Sequence, residues 1–174
     1  MSAAEHPFTI ETLSFGDDGT VPNNRLPLVV YRGALGTEAD PASRCEKMFA
    51  ANGWPDSWRN GIYAHHHYHS TAHEVLGIAK GSARVRLGGE QGQTVELRTG
   101  DVVVIPAGVA HKREAASADL LVIGSYPNGQ DPDICRAEPG AHDKAAGNIA
   151  RVPLPGADPV TGRADPLLKV WKQA

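Results

Sequence analysis

The stretch GIYAHHHYHSTAHEVLGIAKG, residues 61–81, holds five of the chain's eight histidines. The run is internal and interleaved with Tyr68, Ser70 and Thr71, which excludes an affinity-tag remnant. On an extended strand, residues i and i+2 share a face, their Cα atoms about 7 Å apart. Two imidazoles at that spacing can converge on one ion through metal–nitrogen bonds of about 2.1 Å. His65, His67 and His69 have one parity; His66 and Tyr68 have the other and are expected on the outer face. Tyr63 and His65 share the parity of His67 and His69, one and two pleats earlier. They are pocket-lining candidates, either contacting a substrate or only filling the end of the fold.

A carboxylate after a turn can return to the same ion, and Glu74 opens the next apolar run, in phase with Leu76 and Ile78. His73 is its rival, since a loop can present either residue, and it is kept as a third pocket-lining candidate. A further ligand is available downstream. In DVVVIPAGVAHK, His111 follows a buried run and a Pro106-x-Gly108 turn.

Around this stretch the chain reads as many short strands. EVLGIAKG, ARVRLGG, TVELRTG, DVVVIPAG and DLLVIGSY are closely spaced strand candidates, with GGEQGQ as a hairpin turn. In ARVRL, Val85 and Leu87 point one way, Arg84 and Arg86 the other. VVVI is apolar throughout and expected to lie deep. Upstream, LPLVVY is a strand. DPASRCEKMFAANG is a short helix, with Asp40 as N-cap, Pro41 at its first position and Asn52-Gly53 as its stop. Cys45, Met48 and Phe49 would share its apolar face. Downstream, the Pro-, Gly- and Asp-rich tail contains strand-like ARVPL and PLLKVWK and is expected to run extended. The expected division is residues 1–60 as an N-terminal strand and helix segment, 61–127 as the core and 128–174 as the tail.

Nine of ten positions match two spaced motifs. The first is Gly61, five residues, His67-x-His69, four residues, Glu74, six residues, Gly81. The second is Gly100, five residues, Pro106-x-Gly108, two residues, His111; Ala115 stands where an asparagine belongs. In this the chain resembles the cupins, most closely small single-domain bacterial members of unassigned function. The resemblance implies an all-β, single-domain jelly-roll barrel. It also implies a divalent transition metal, whether Fe, Ni, Mn, Zn or Cu, held by His67, His69, Glu74 and His111. Pairing into a homodimer is implied too, with LPLVVY as a candidate edge strand.

Three histidines and a glutamate would leave open positions on the ion. This suits a metal-dependent enzyme acting on a small oxygenated organic molecule, of dioxygenase, decarboxylase or isomerase type. The alternative is a non-enzymatic barrel that binds or senses a small ligand, but no helix-turn-helix output module accompanies it. Arg84, Arg86, Lys112 and Arg113 are cations for an anionic substrate or ordinary surface charges. Trp54, Trp58 and Trp171 are expected to pack the flanking segments. Ser70 and Ser125 lack a nucleophile elbow, and no phosphate-binding glycine loop is present.

The net charge of −3 and a pI of about 6.2 argue against a nucleic-acid partner. No apolar run is long enough to span a bilayer. Two distant cysteines, Cys45 and Cys135, and a beginning without a secretory pattern point to the cytoplasm and reduced thiols.

Overall fold

A computed structural model describes residues 8–174 of the chain. It contains two antiparallel sheets facing each other. The first runs β1 (Thr9–Phe15), β2 (Asn24–Arg32), β8 (Val102–Ile105), β5 (Glu74–Lys80), β10 (Leu121–Ser125), β3 (Trp58–Asn60) in spatial order. The second runs β11 (Cys135–Arg136), β4 (His67–Tyr68), β9 (His111–Ala116), β6 (Ser82–Leu87), β7 (Gln93–Arg98). This is the all-β jelly roll that the strand pattern and the motifs anticipated.

The six-stranded sheet is covered on both faces, which explains its continuous apolar runs. Leu28, Val30, Leu76, Ile78, Val103, Ile105 and Val122 point between the sheets, where they meet Val85, Leu87, Val95 and Leu97. Their alternates Val29, Tyr31, Val75, Ala79, Val102, Val104 and Ile123 point outward into a second apolar layer. That layer is closed by α1 (Pro41–Ala51) and α3 (Leu167–Lys172). The two-faced ARVRL behaves as its pattern requires: Val85 and Leu87 are buried, Arg84 is exposed and Arg86 half-buried.

Helix α1 starts and stops on the anticipated signals. The Asp40 carboxylate accepts from the Ser43 N–H, Pro41 occupies the first turn, and Gly53 takes φ 85° just past the end. Cys45 and Phe49 are buried on its inner face, with Met48 packed at the margin.

The tail departs from expectation. PLLKVWK is not extended: Leu167–Lys172 form α3, which buries Leu167, Leu168 and Trp171 on one side. The Trp171 indole N–H donates to the Pro27 carbonyl at 2.8 Å, fixing the helix to β2. A second helix, α2 (His142–Ile149), lies over Tyr68, with Ala145 in the same small cluster. ARVPL forms no strand, because Pro153 and Pro155 remove donors that a ladder needs. LPLVVY is not an edge strand either. β2 lies between β1 and β8, and the edges of that sheet are β1 and β3. The TIETLSF run that forms β1 was not singled out as a strand; its side chains are mostly exposed.

Candidate metal centre

Three strands deliver four buried side chains to one point. β4 contributes His67, directly opposite His111 of β9 in the ladder. His69 lies one pleat beyond His67, and Glu74 is the first residue of β5. The motif glycine at 108 sets the approach. It takes φ 89°, a conformation that strains any residue with a Cβ, and its N–H donates to the His69 carbonyl at 2.7 Å. The turn that presents His111 is thereby tied to the segment that carries His69.

His67, His69 and His111 each offer a ring nitrogen, all within 4.8 Å of one another. Glu74 reaches both neighbouring rings: 3.3 Å to His69 Nε2 and 3.1 Å to His111 Nε2. These distances are short, yet His69 Nε2 and Glu74 Oε1 make no aligned hydrogen bond among the described residues. Both side chains are buried, at the floor of a cavity. Side chains that crowd together without pairing are arranged around a point between them.

The opposite edge of each ring explains which nitrogen faces that point. His67 Nδ1 lies 3.4 Å from the His65 carbonyl, His111 Nδ1 lies 3.1 Å from the Val109 carbonyl, and His69 Nδ1 meets the Asp133 carbonyl. A carbonyl only accepts, so each Nδ1 carries a proton and donates it. That leaves Nε2 with a lone pair directed inward, the tautomer a metal needs. The Asp133 backbone is itself held, since its carboxylate accepts from the Ser70 N–H at 2.6 Å and from the Ser70 hydroxyl.

The electrostatics ask for one positive charge at the centre. Burial alone would raise the Glu74 carboxyl, but the His69 and His111 rings outweigh it and hold it well below its ordinary range. Burial likewise opposes charge on His69, yet Glu74 and the Asp133 carbonyl push it up to about 9. His67, buried and beside His111, is pushed down to about 3. One cation beside Glu74 satisfies this arrangement, either a proton on His69 or a metal ion. The donor set of three imidazoles and a carboxylate fits a divalent transition metal.

The other nominated residues separate. Tyr63 lines the cavity that opens from the centre, with 51 % of its surface exposed at the mouth. His65 stacks on Tyr63 at 5.0 Å but does not line that cavity. His73 does not line it either. It points into the opposite layer, against the Trp171 ring at 4.7 Å, with Nδ1 accepting from the Ala107 N–H at 2.9 Å. Being one residue out of phase with Glu74, it faces the other side of the sheet, where burial pushes it down to about 4. His66 turns outward to Glu90 at 2.5 Å, and Tyr68 is buried beneath Val21 and α2. Ala115, where the motif departs, is exposed on β9.

The cavity measures about 510 Å³, within the range of small-molecule sites. Two of its aromatic residues were not anticipated there. Trp58 lines it rather than packing a flank, as Trp54 and Trp171 do. Gly124 makes this possible: a Cβ on it would lie 2.0 Å from the Trp58 ring. Tyr126, two residues on, lines the cavity as well. Its ring meets His69 at 5.5 Å, and its hydroxyl accepts from the Trp58 indole N–H at 3.2 Å. Burial, and then the nearby Glu74 carboxylate, pushes this phenol well above its ordinary value, so it stays protonated at neutral pH. Its parity with Val122, an inward residue of the same run, was the available signal.

Comparison with known proteins agrees with this architecture. The sequence profile of the cupin domain matches residues 59–124. The uncharacterised protein YjlB of Bacillus subtilis (strain 168) is 40 % identical over 162 residues, covering 92 % of this chain and 96 % of the relative. The chain belongs to the cupin family. Among solved structures it is similar to acireductone dioxygenase from Bacillus anthracis, described with a cadmium ion in its active centre. That match has TM-score 0.39 and 14 % identity, covering 71 % of this chain and 82 % of the other. It is also similar to the coconut allergen cocosin (TM-score 0.35, 22 % identity, 44 % of this chain), of whose length it spans 22 %. No helix among the described residues is long and apolar enough to cross a membrane.

Proposed function

We propose that the chain is a metal-dependent enzyme acting on a small oxygenated organic molecule, with chemistry of dioxygenase, decarboxylase or isomerase type. One observation carries this reading: three inward Nε2 atoms and a buried carboxylate whose Oε1 has no aligned partner form the floor of a cavity sized for a small molecule. His67, His69, Glu74 and His111 would hold the ion, which when bound would supply Lewis acidity or one-electron chemistry to an oxygen-bearing substrate.

The chain's own residues support that chemistry in three ways. The carbonyls of His65, Val109 and Asp133 fix the ring tautomers. Leu76, Ile62 and Trp58 keep the inner cavity apolar, which strengthens every electrostatic contact there. Tyr126 keeps a phenolic proton beside the centre and can donate it to a bound substrate oxygen.

The test starts with protein purified without an affinity tag. Bound metal is measured by mass spectrometry. Consumption of organic acids, sugars and thiols is then followed with and without dioxygen, before and after chelation. The expected result is stoichiometric metal and a chelator-sensitive turnover. A metal-loaded protein that binds members of the panel and converts none of them would instead be a binding module.

A further inference from the structure

Four cations, Arg84, Arg86, Lys112 and Arg113, lie on β6 and β9, and the fold gives three of them other surroundings. Arg84 is exposed. Arg86 pairs with Glu114 at 2.8 Å, and Lys112 lies 3.8 Å from Glu90. Arg113 differs. The ladder sets His111 opposite Leu87 and Arg113 opposite Val85, and both of those partners point between the sheets. Arg113 therefore faces inward with the metal-ligand candidate His111, while Lys112, opposite Arg86, faces out. Its side chain lines the cavity, half-buried, and has no hydrogen-bond or ion-pair partner among the described residues.

The guanidinium's donors are therefore free to meet a ligand's acceptors in the cavity. Among the described residues that line the cavity Glu74 is the single carboxylate, and it belongs to the candidate metal centre. With a divalent ion bound, the lining would carry two formal positive charges in excess: two from the ion and one from Arg113, less one from Glu74. Apart from Asn60 and the histidines, the rest of the wall is mainly aromatic and aliphatic, including Trp58, Tyr63, Ile62 and Ile134.

We infer that the substrate is an organic carboxylate with an apolar body, and that Arg113 is the residue that receives its carboxylate. The planar fork of Arg113 suits the two oxygens of a carboxylate, and the apolar wall suits the remainder of the molecule. This assignment rests on the metal-dependent reading above for the place of the reacting group, though Arg113 would recognise the anion with or without the ion.

The experiment compares acids with their neutral methyl esters. Mandelate, phenyllactate and phenylpropionate, each beside its ester, are titrated calorimetrically into zinc-loaded wild type, Arg113→Gln, Arg113→Lys and the exposed control Arg84→Gln. Metal content and thermal unfolding are recorded for each sample. Wild type is expected to prefer at least one acid over its ester by about tenfold or more. Arg113→Gln should erase that preference with metal content and unfolding unchanged; Arg113→Lys should restore part of it, and Arg84→Gln should leave it intact. A preference that survives Arg113→Gln overturns the inference, as does a wild type that binds none of the acids. A wild type that holds no metal sinks the metal reading instead, and the same titration without zinc still decides the role of Arg113.

Discussion

Two of the buried carboxylates in this molecule, Asp158 and Glu74, are treated in opposite ways. Asp158, in the tail, is saturated. Its oxygens accept from the Tyr31 hydroxyl at 2.6 Å and from the backbone N–H groups of Val160, Thr161 and Leu167. It ties the outward face of β2 to the loop before α3. Glu74, at the barrel floor, stands 3.1 Å and 3.3 Å from two imidazoles, yet its Oε1 has no aligned donor. Burying an unpaired polar atom costs on the order of 1–3 kcal/mol. Asp158 is fully satisfied within the fold, whereas on the reading proposed above Glu74 is kept for the ion.

That contrast can be broken most visibly through metal content. Glu74→Ala, His67→Ala or His111→Ala should drop bound metal, measured by mass spectrometry, from about one ion per chain to near zero. His66→Ala and His73→Ala should retain it. Metal kept by Glu74→Ala and lost in His73→Ala would reverse the assignment of the two residues.

The complementary variant is Asp158→Ala. It should lower unfolding free energy by about 2–4 kcal/mol in a denaturant titration, since it strands several donors at once, while metal content stays at the wild-type level. Equal stability loss in Asp158→Ala and Glu74→Ala would erase the distinction between the two carboxylates. A smaller effect is expected from Gly124→Ala. The new methyl would push into the Trp58 ring, costing about 1–3 kcal/mol and reshaping the cavity wall. Tryptophan fluorescence should report the displaced ring.

The barrel was legible in sequence because its strands alternate with a period of two and its motif residues sit at fixed spacing. The parity that paired Glu74 with Leu76 and Ile78 places it between the sheets in the structure. The tail was less legible. In PLLKVWK, alternating Leu168, Val170 and Lys residues mimic a strand over a segment too short to show two helical turns. Its helix is decided by Trp171 and Leu167 packing on β2, a contact that spans most of the chain. Arg113 shares the parity of His111, so the signal that it faces inward and Lys112 outward was present in the sequence; the β6–β9 register shift falls beyond it, between Arg84 and Val85.

The smallest effect concerns α2. His142 Nε2 lies 2.8 Å from the Asp17 carboxylate, with Asp143 on its other nitrogen. Asp143 and then Asp17 raise the histidine above its ordinary 6.5. A group raised on folding contributes fully below its unfolded value and loses that contribution as pH rises through the folded one. Hydrogen-exchange protection of α2 should therefore decline modestly above pH 6.5. Protection that is flat with pH would show that Tyr68 and Ala145 packing alone hold the helix.

The carbonyl of Asp133 fixes the tautomer of His69, yet it lies past the last strand that the cupin-domain match covers. The motif-bearing core is thus not a transplantable cassette. Excised at residue 124, it would keep every candidate ligand and lose the clasp that aims one of them, together with the β11 strand that flanks β4. For this chain, grafting or shortening the barrel has to preserve a segment that carries no ligand at all.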